Sequence, residues 1–192
     1  MFEVRTIAVI GAGAMGRSIA QVAALGGYRT VLEDLFPHSL RRAGAEIRAY
    51  LEQSAQLGEI SAREAEVIFS RLEYAGSVDE AGREADLVIE AVPDELESKL
   101  EIFIMLDKFC RPGTILAANT SALSISQIAT ATYRARKCIG MRFSHPVHAM
   151  TRLEIVRASE TDDETLAAVI AVGQRMRKEV VVLDDVPVPA NH

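Results

Sequence analysis

Three features of this 192-residue chain predict an α/β fold, a doubly wound and mainly parallel sheet with helices on both faces. Short apolar, β-branched runs alternate with stretches whose apolar residues recur at helical spacing. A glycine-rich turn leaves the first such run and opens the first helix. No internal repeat, low-complexity tract or Pro/Gly-rich linker interrupts the alternation.

Taken in order, Thr6 to Ile10 is a strand, Ala14 to Leu25 a helix and Arg29 to Leu32 a second strand, which makes a βαβ unit. From Ser39 to Arg71, Leu40, Ala43, Ile47 and Leu51, then Ala65, Ile68 and Leu72, repeat at helical spacing with a break at Gly58. That pattern predicts an inserted helical hairpin over 39–72. Strands follow at Asp86 to Val92 and Thr114 to Asn119, with a helix from Asp94 to Phe109 between them. A short helix at Ser124 to Thr130, strands at Cys138 to Phe143 and Glu154 to Val156, a helix from Asp163 to Met176 and a strand at Val180 to Leu183 complete the layout.

With 49% hydrophobic and 25% charged residues, the chain has the composition of one globular domain with a substantial core. A net charge of −6 and a pI near 5.3 argue against a nucleic-acid or anionic-membrane partner, since phosphate binding needs a basic surface. A small-molecule partner is expected instead. Neither a secretory signal pattern nor an apolar run long enough to span a bilayer is present in the sequence, so the expected location is the cytoplasm. Cys110 and Cys138 lie far apart without metal-ligand spacing, so neither a disulfide nor a metal site is expected.

The first chemical motif is Gly11-Ala12-Gly13-Ala14-Met15-Gly16. A lone GxGxxG is weak, because glycines also serve ordinary tight turns, but this one leaves a strand, opens a helix and has an acid downstream. Gly11 permits the turn, Gly13 lets the backbone approach a pyrophosphate and Gly16 lets helix and strand pack closely. All six residues are therefore expected at the cofactor, in a Rossmann-type domain. Asp34, ending the second strand, is placed to accept from a ribose 2′-hydroxyl and to repel a 2′-phosphate, which favours NAD over NADP. The competing readings are a glycine turn without nucleotide and a helix cap for Asp34, with Glu33 a less well placed rival.

With these residues in place the chain resembles the 3-hydroxyacyl-CoA dehydrogenase family, especially the dehydrogenase part of the bacterial multifunctional fatty-acid oxidation enzymes. Four blocks carry the resemblance: GAGAMG, Glu90-Ala91-Val92 with Lys99, Ala118-Asn119-Thr120-Ser121-Ala122-Leu123-Ser124-Ile125, and Gly140 through Val156. The resemblance implies NAD as cofactor and oxidation of a 3-hydroxyacyl thioester, of coenzyme A or a carrier protein, to the 3-oxoacyl form. Dimers or other homo-oligomers and a place in fatty-acid β-oxidation are implied as well. By the same resemblance Ala91, Val92 and Asn119 belong to the cofactor site, and Asp94 and Lys99 stand where the family has a cofactor-contacting glutamate and lysine. Ser121 stands where a hydroxyl meets cofactor and substrate, and Glu154 where a carboxylate orients the catalytic histidine. Without the resemblance, Ser121 reads equally as a helix cap, Lys99 as a solvated helix residue and Glu154 as a surface charge.

The departures fall at the catalytic segment, GMRFSHPVHAMTRLEIV. The family has a histidine twelve residues before the glutamate, followed by two phenylalanines, asparagine and proline. Here that histidine position is Arg142, the second phenylalanine position is Ser144 and the asparagine position is His145. An arginine cannot serve as general base, because a guanidinium stays protonated at any working pH. His148 has the weaker claim to replace it, since the fatty-acid enzymes can also have histidine there. Family members also continue into a helical domain, where the pattern at its start has proline and glycine before two aromatics; this chain has Pro187-Val188-Pro189-Ala190. The expectation is an NAD-binding domain over 1–186, a tail at 187–192 where the second domain would begin, and the helical domain absent.

Two readings follow. In one, the protein is an NAD-dependent oxidoreductase with shifted chemistry, in which His145 accepts the proton, Arg142 binds an anionic group or pairs with Glu154, and Ser121 contacts the substrate. In the other it is an NAD-binding module without turnover, acting in binding or assembly. Arg142 and Glu154 are expected to face each other on neighbouring strands as a bidentate ion pair.

Overall fold

Strands covered on both faces read as near-continuous apolar runs, and each residue of the first strand, β1 (Thr6–Ile10), is buried. The computed structural model describes residues 3–185, so the stretch from Pro187 to His192 lies outside the described residues. From β1 the chain runs through α1 (Ala14–Leu25) and β2 (Arg29–Glu33) to the helical hairpin α2 (Pro37–Gln56) and α3 (Ala62–Phe69). Next come β3 (Leu72–Ala75), α4 (Val78–Gly82), β4 (Leu87–Glu90), α5 (Leu96–Phe109), β5 (Ile115–Ala118) and α6 (Ile125–Ala129). Finally β6 (Cys138–Phe143), β7 (Arg152–Arg157), α7 (Asp163–Arg175) and β8 (Glu179–Asp184) extend the sheet.

The eight strands form one sheet in the order β3-β2-β1-β4-β5-β6-β7-β8. All neighbouring pairs are parallel except β6 and β7, which run antiparallel with Arg142 opposite Glu154. Alternate residues of the central strands feed two cores. Ile7, Val9, Leu32 and Ile89 pack under α1, α2, α3 and α7, while Ala8, Ile10, Val31 and Val88 pack under α4, α5 and α6. The strand order reverses at β1, whose neighbours are β2 and β4, and at such a switch point the carboxyl ends of the strands open a crevice. The doubly wound, mainly parallel Rossmann-type fold is thus the observed one.

The hairpin expected over 39–72 ends earlier than its spacing implied. Ala65, Ile68 and Leu72 continue a helical period, yet Leu72 opens β3, because Arg71 and Leu72 leave the helix to pair with β2; the Thr30 N–H donates to the Arg71 carbonyl at 2.9 Å. β3 is an edge strand with only its end residues buried, so its sequence carries little strand signal. The start of α3 is sealed by a capping box, in which Ser61 Oγ accepts from the Glu64 N–H at 3.1 Å and the Ser61 N–H donates to Glu64 Oε2 at 2.7 Å. Cys110 and Cys138 are buried free thiols, each pushed up to about 11 chiefly by burial. Among the described residues no helix is long and apolar enough to cross a membrane.

Phe103 of α5 is fully buried in the core that backs the crevice. Phe103→Ala should lower stability by about 3–5 kcal/mol, read as a shift of the urea unfolding midpoint at unchanged slope.

Candidate functional site

At the carboxyl end of β1 the backbone must turn sharply into α1, and Gly11 does so at φ +97°, a region closed to most side chains. One turn later α1 packs against that corner so closely that a Cβ on Gly16 would stand 1.8 Å from the Gly11 carbonyl oxygen. Gly13 is the reverse case: a Cβ there would meet nothing within 4 Å. This open space lies over the start of α1, which has neither a side-chain cap nor an acid in its first turn. Uncapped first-turn N–H groups, with the positive end of the helix dipole, form a site for an anion.

The space is part of a cleft of about 850 Å³ at the switch point, lined at one end by Gly11, Gly13, Ala14, Met15 and Asp34. Asp34 braces the glycine turn, accepting from the Ala12 N–H through Oδ2 and from the Phe36 N–H through Oδ1, each at 2.9 Å. Beyond it Leu35, Phe36, Val78, Ile102 and Met105 give that flank apolar walls. Ala91 and Val92 lie against the Gly11 turn, and Asp94, Asn119, Ser121, Arg142 and Phe143 carry the lining on from there. An uncapped helix start for a pyrophosphate, a carboxylate at the strand end and an apolar flank for a flat base fit a dinucleotide. Among the expected cofactor residues, Ala12 and Gly16 shape the turn from behind the cleft rather than lining it.

Lys99 has a different setting from the residues that line the cleft. It is fully buried under the cleft floor, and its ammonium is used up by Glu90 Oε1 at 2.8 Å, Glu90 Oε2 at 2.9 Å, the Asn119 carbonyl at 3.0 Å and the Val92 carbonyl at 3.3 Å. It is therefore not a solvated helix residue but one enclosed beneath the loops that line the cleft. Glu90 also accepts from the Val92 N–H at 2.7 Å, so one ion pair fastens the loop after β4 to the loop after β5. Burial pushes the Glu90 carboxyl up to about 6, with Lys99 opposing. Asp94 bridges the same two loops from above, its Oδ2 accepting from the Ser121 N–H at 3.1 Å and the Ser121 hydroxyl at 3.2 Å. Burial raises the Asp94 carboxyl, but the Thr120 and Ser121 hydrogen bonds outweigh it and hold the group below the usual range. Sequence reasoning used Glu90 only as part of a block. The signal for its role was an acid ending an otherwise apolar strand with a lysine nine residues on, inside a helix's buried stripe.

At the far end Arg142 and Glu154 do face each other, but through a single contact of 3.2 Å rather than a bidentate pair. Two neighbours prevent the fork. Arg142 Nε donates to the Thr120 carbonyl at 2.9 Å, and the other Glu154 oxygen is taken by Arg152 at 2.8 Å. Arg152, which sequence reasoning missed, makes this a cluster of two guanidinium groups around one carboxylate. Arg142 lines the cleft and is the one basic residue among its lining. Ser144 and His145 are exposed in the turn after β6 and do not line the cleft. His148, in the same turn, stacks on Tyr50 of α2 with ring centroids 4.8 Å apart. Lys178 pins this turn by donating to the Val147 carbonyl and, at 2.7 Å, to the Met150 carbonyl.

Comparison with known proteins agrees with this geometry. Residues 6–186 match the 3-hydroxyacyl-CoA dehydrogenase, NAD binding domain family. A probable 3-hydroxybutyryl-CoA dehydrogenase of Bacillus subtilis (strain 168) is 37% identical over 185 residues, 96% of this chain and 64% of that protein. A glyoxysomal fatty acid beta-oxidation multifunctional protein of Brassica napus is 34% identical over 182 residues, 94% of this chain and 25% of that one. The crystal structure of 3-hydroxybutyryl-CoA dehydrogenase from Escherichia coli K12 superimposes with a TM-score of 0.93 at 34% identity, over 96% of this chain and 39% of its own. The chain thus spans less than two thirds of each of these relatives.

The buried pair can be tested directly. Lys99→Met strands the Glu90 carboxylate and should lower stability by about 3–5 kcal/mol in urea unfolding. Adding Glu90→Gln to Lys99→Met removes the stranded charge and should recover part of that loss.

Proposed function

The chain belongs to the 3-hydroxyacyl-CoA dehydrogenase family, and we propose that it is an NAD-dependent oxidoreductase domain acting on a 3-hydroxyacyl thioester, with a diverged proton-accepting site. The observation that carries the reading is the uncapped start of α1 opening into the cleft beside Asp34. NAD, when bound, supplies the hydride acceptor. The chain's own residues do the rest. The first turn of α1 holds the pyrophosphate, and Asp34, whose two oxygens keep a further lone pair each, takes the adenosine ribose. Asn119 and Ser121 hold the reacting end. Asn119 is itself fixed, its Oδ1 accepting from the Phe143 N–H at 3.2 Å. Arg142 cannot accept a proton and offers a positive charge instead, suited to an anionic group of the substrate. His145, two residues beyond the cleft-lining Phe143, is the proposed proton acceptor.

One observation favours a second reading, an NAD-binding module without turnover. The position where the family has its base is filled by the Arg142, Glu154 and Arg152 cluster, while His145 lies outside the cleft. Steady-state NADH formation from a short 3-hydroxyacyl-CoA, with NAD titrated separately by calorimetry, separates the two; binding without turnover supports the module.

Asp34 should set the nucleotide preference. NAD should bind much more tightly than NADP, because a 2′-phosphate against a carboxylate puts like charges together, and Asp34→Ala should narrow the gap. Equal affinity of the unaltered protein for both would remove Asp34 from the site.

Rebuilding the family's catalytic segment tests the missing base. Arg142→His with Ser144→Phe and His145→Asn, fused to the helical domain of a family member, should raise dehydrogenase activity by about 10²-fold or more if the base is the bottleneck. No gain with NAD still bound would place the loss elsewhere, and a fall on His145→Asn alone would identify His145 as the base already in use.

A further inference from the structure

Glu33 is the one buried acid of the cleft lining, and the site as described leaves it without a task. It ends β2 beside Asp34, is 2% exposed, and its Oε1 has no hydrogen-bond partner. A buried carboxyl with an unpartnered oxygen is costly, and such groups are kept neutral or given a ligand. The elements packed around it offer no charge to offset its own. β1 presents Ile10 opposite Glu33 and β3 presents Ala75. Asp34 is acidic, and α4 brings Val78 with two further acids, of which Asp79 pairs with Arg83 at 2.7 Å and Glu80 accepts from the Gly76 N–H at 3.1 Å. Asp94 and Glu101 line the cleft as well. No lysine or arginine among the described residues forms an ion pair with Glu33, and Arg142 lies at the other end.

We propose that Glu33 is a further specificity-determining residue of the cofactor cleft, which carries a proton when NAD is bound and donates it to the adenosine half. The adenosine half belongs here because the apolar flank of Leu35, Phe36 and Val78 adjoins Glu33, whereas Arg142 and Ser121 mark the reacting end. Adenine offers ring nitrogens that accept a hydrogen bond, which a neutral carboxyl can satisfy and an ionised one cannot. Burial, and then the Asp34 charge, push the Glu33 carboxyl up to about 7 before any ligand is present, with the Gly11 N–H opposing them. A bound nucleotide removes the remaining water and adds its own negative phosphates, and both effects disfavour the ionised form further. Binding above pH 7 therefore takes up a proton, and affinity falls as pH rises through the free group's range. Stability follows the same sign. Because the folded value lies above the unfolded one, the contribution of Glu33 is full at low pH and is lost as pH rises toward and through 7.

This inference rests on the NAD reading of the cleft and not on turnover. The test is calorimetric titration of the full chain with NAD, ADP-ribose and nicotinamide mononucleotide at pH 6.5 and 8.5, in two buffers of different ionisation enthalpy. NAD and ADP-ribose should weaken by on the order of tenfold at the higher pH with net proton uptake, and nicotinamide mononucleotide should not. Glu33→Gln should flatten the profile and abolish the uptake. Glu33→Val, which suits the buried position, should flatten it too while binding NAD more weakly than Glu33→Gln. Proton uptake that survives both substitutions, or a flat profile in the unaltered protein, overturns the role of Glu33 while leaving the cofactor reading standing. Failure of NAD to bind at either pH overturns both.

Discussion

The cleft depends on one buried ion pair. Glu90 and Lys99 are both fully enclosed, and between them they hold the end of β4, the loop to α5 and the loop after β5 in one arrangement. Two charges out of water are tolerable only when each remaining lone pair and proton is satisfied, as the Val92 and Asn119 backbone contacts provide. A lysine replaced here by an apolar residue would strand a carboxylate beneath the very loops that line the cleft. The pair is therefore better understood as a device for specifying loop geometry than as a source of net stability. Ala91, Val92, Asn119 and Ser121 can form one lip only because their backbones share this anchor.

The cleft's electrostatics are polarised along its length. Its adenosine end collects Glu33 and Asp34 against an uncapped helix start, while its reacting end places Asp94 below Ser121 and Arg142 beyond. An uncapped helix N-terminus favours an anion, so acidic residues beside it need not make the whole end repel one. The far end of the cleft is arranged differently. Two guanidinium groups share one carboxylate, and the Thr120 carbonyl fixes the first of them. The cluster holds positive charge in place.

The family and its fold were legible in the sequence because the central strands are buried on both faces. Burial on both sides favours apolar runs, and β1, β4 and β5 announce themselves that way. β3 did not, because an edge strand half in solvent needs no such run and its Leu72 fits a helical period equally well. Gly11, Gly13 and Gly16 were legible because their roles are local, set by a turn and by close approach within a few residues.

What the tertiary structure alone decided is which polar groups find one another. For Lys99 the sequence offers only its place in a helix's apolar stripe nine residues after an acid, which does not say whether solvent, a ligand or that carboxylate meets it; the packing of α5 on the sheet puts it under the floor. Arg142 was correctly expected opposite Glu154, since an antiparallel register fixes cross-strand partners. That the contact is single was settled by Thr120 and Arg152, brought in from another loop and from the next residue but one on β7. Glu33 looked like a rival to Asp34 from the sequence, where adjacent residues differ only by one position. In the sheet they point to different surroundings, one into the core beneath the apolar flank and one back onto the glycine turn, and only burial makes their chemistry diverge. Sequence thus set the backbone path and the register, through patterns that repeat locally. The environment of each charge came from long-range packing, which no short window of residues encodes.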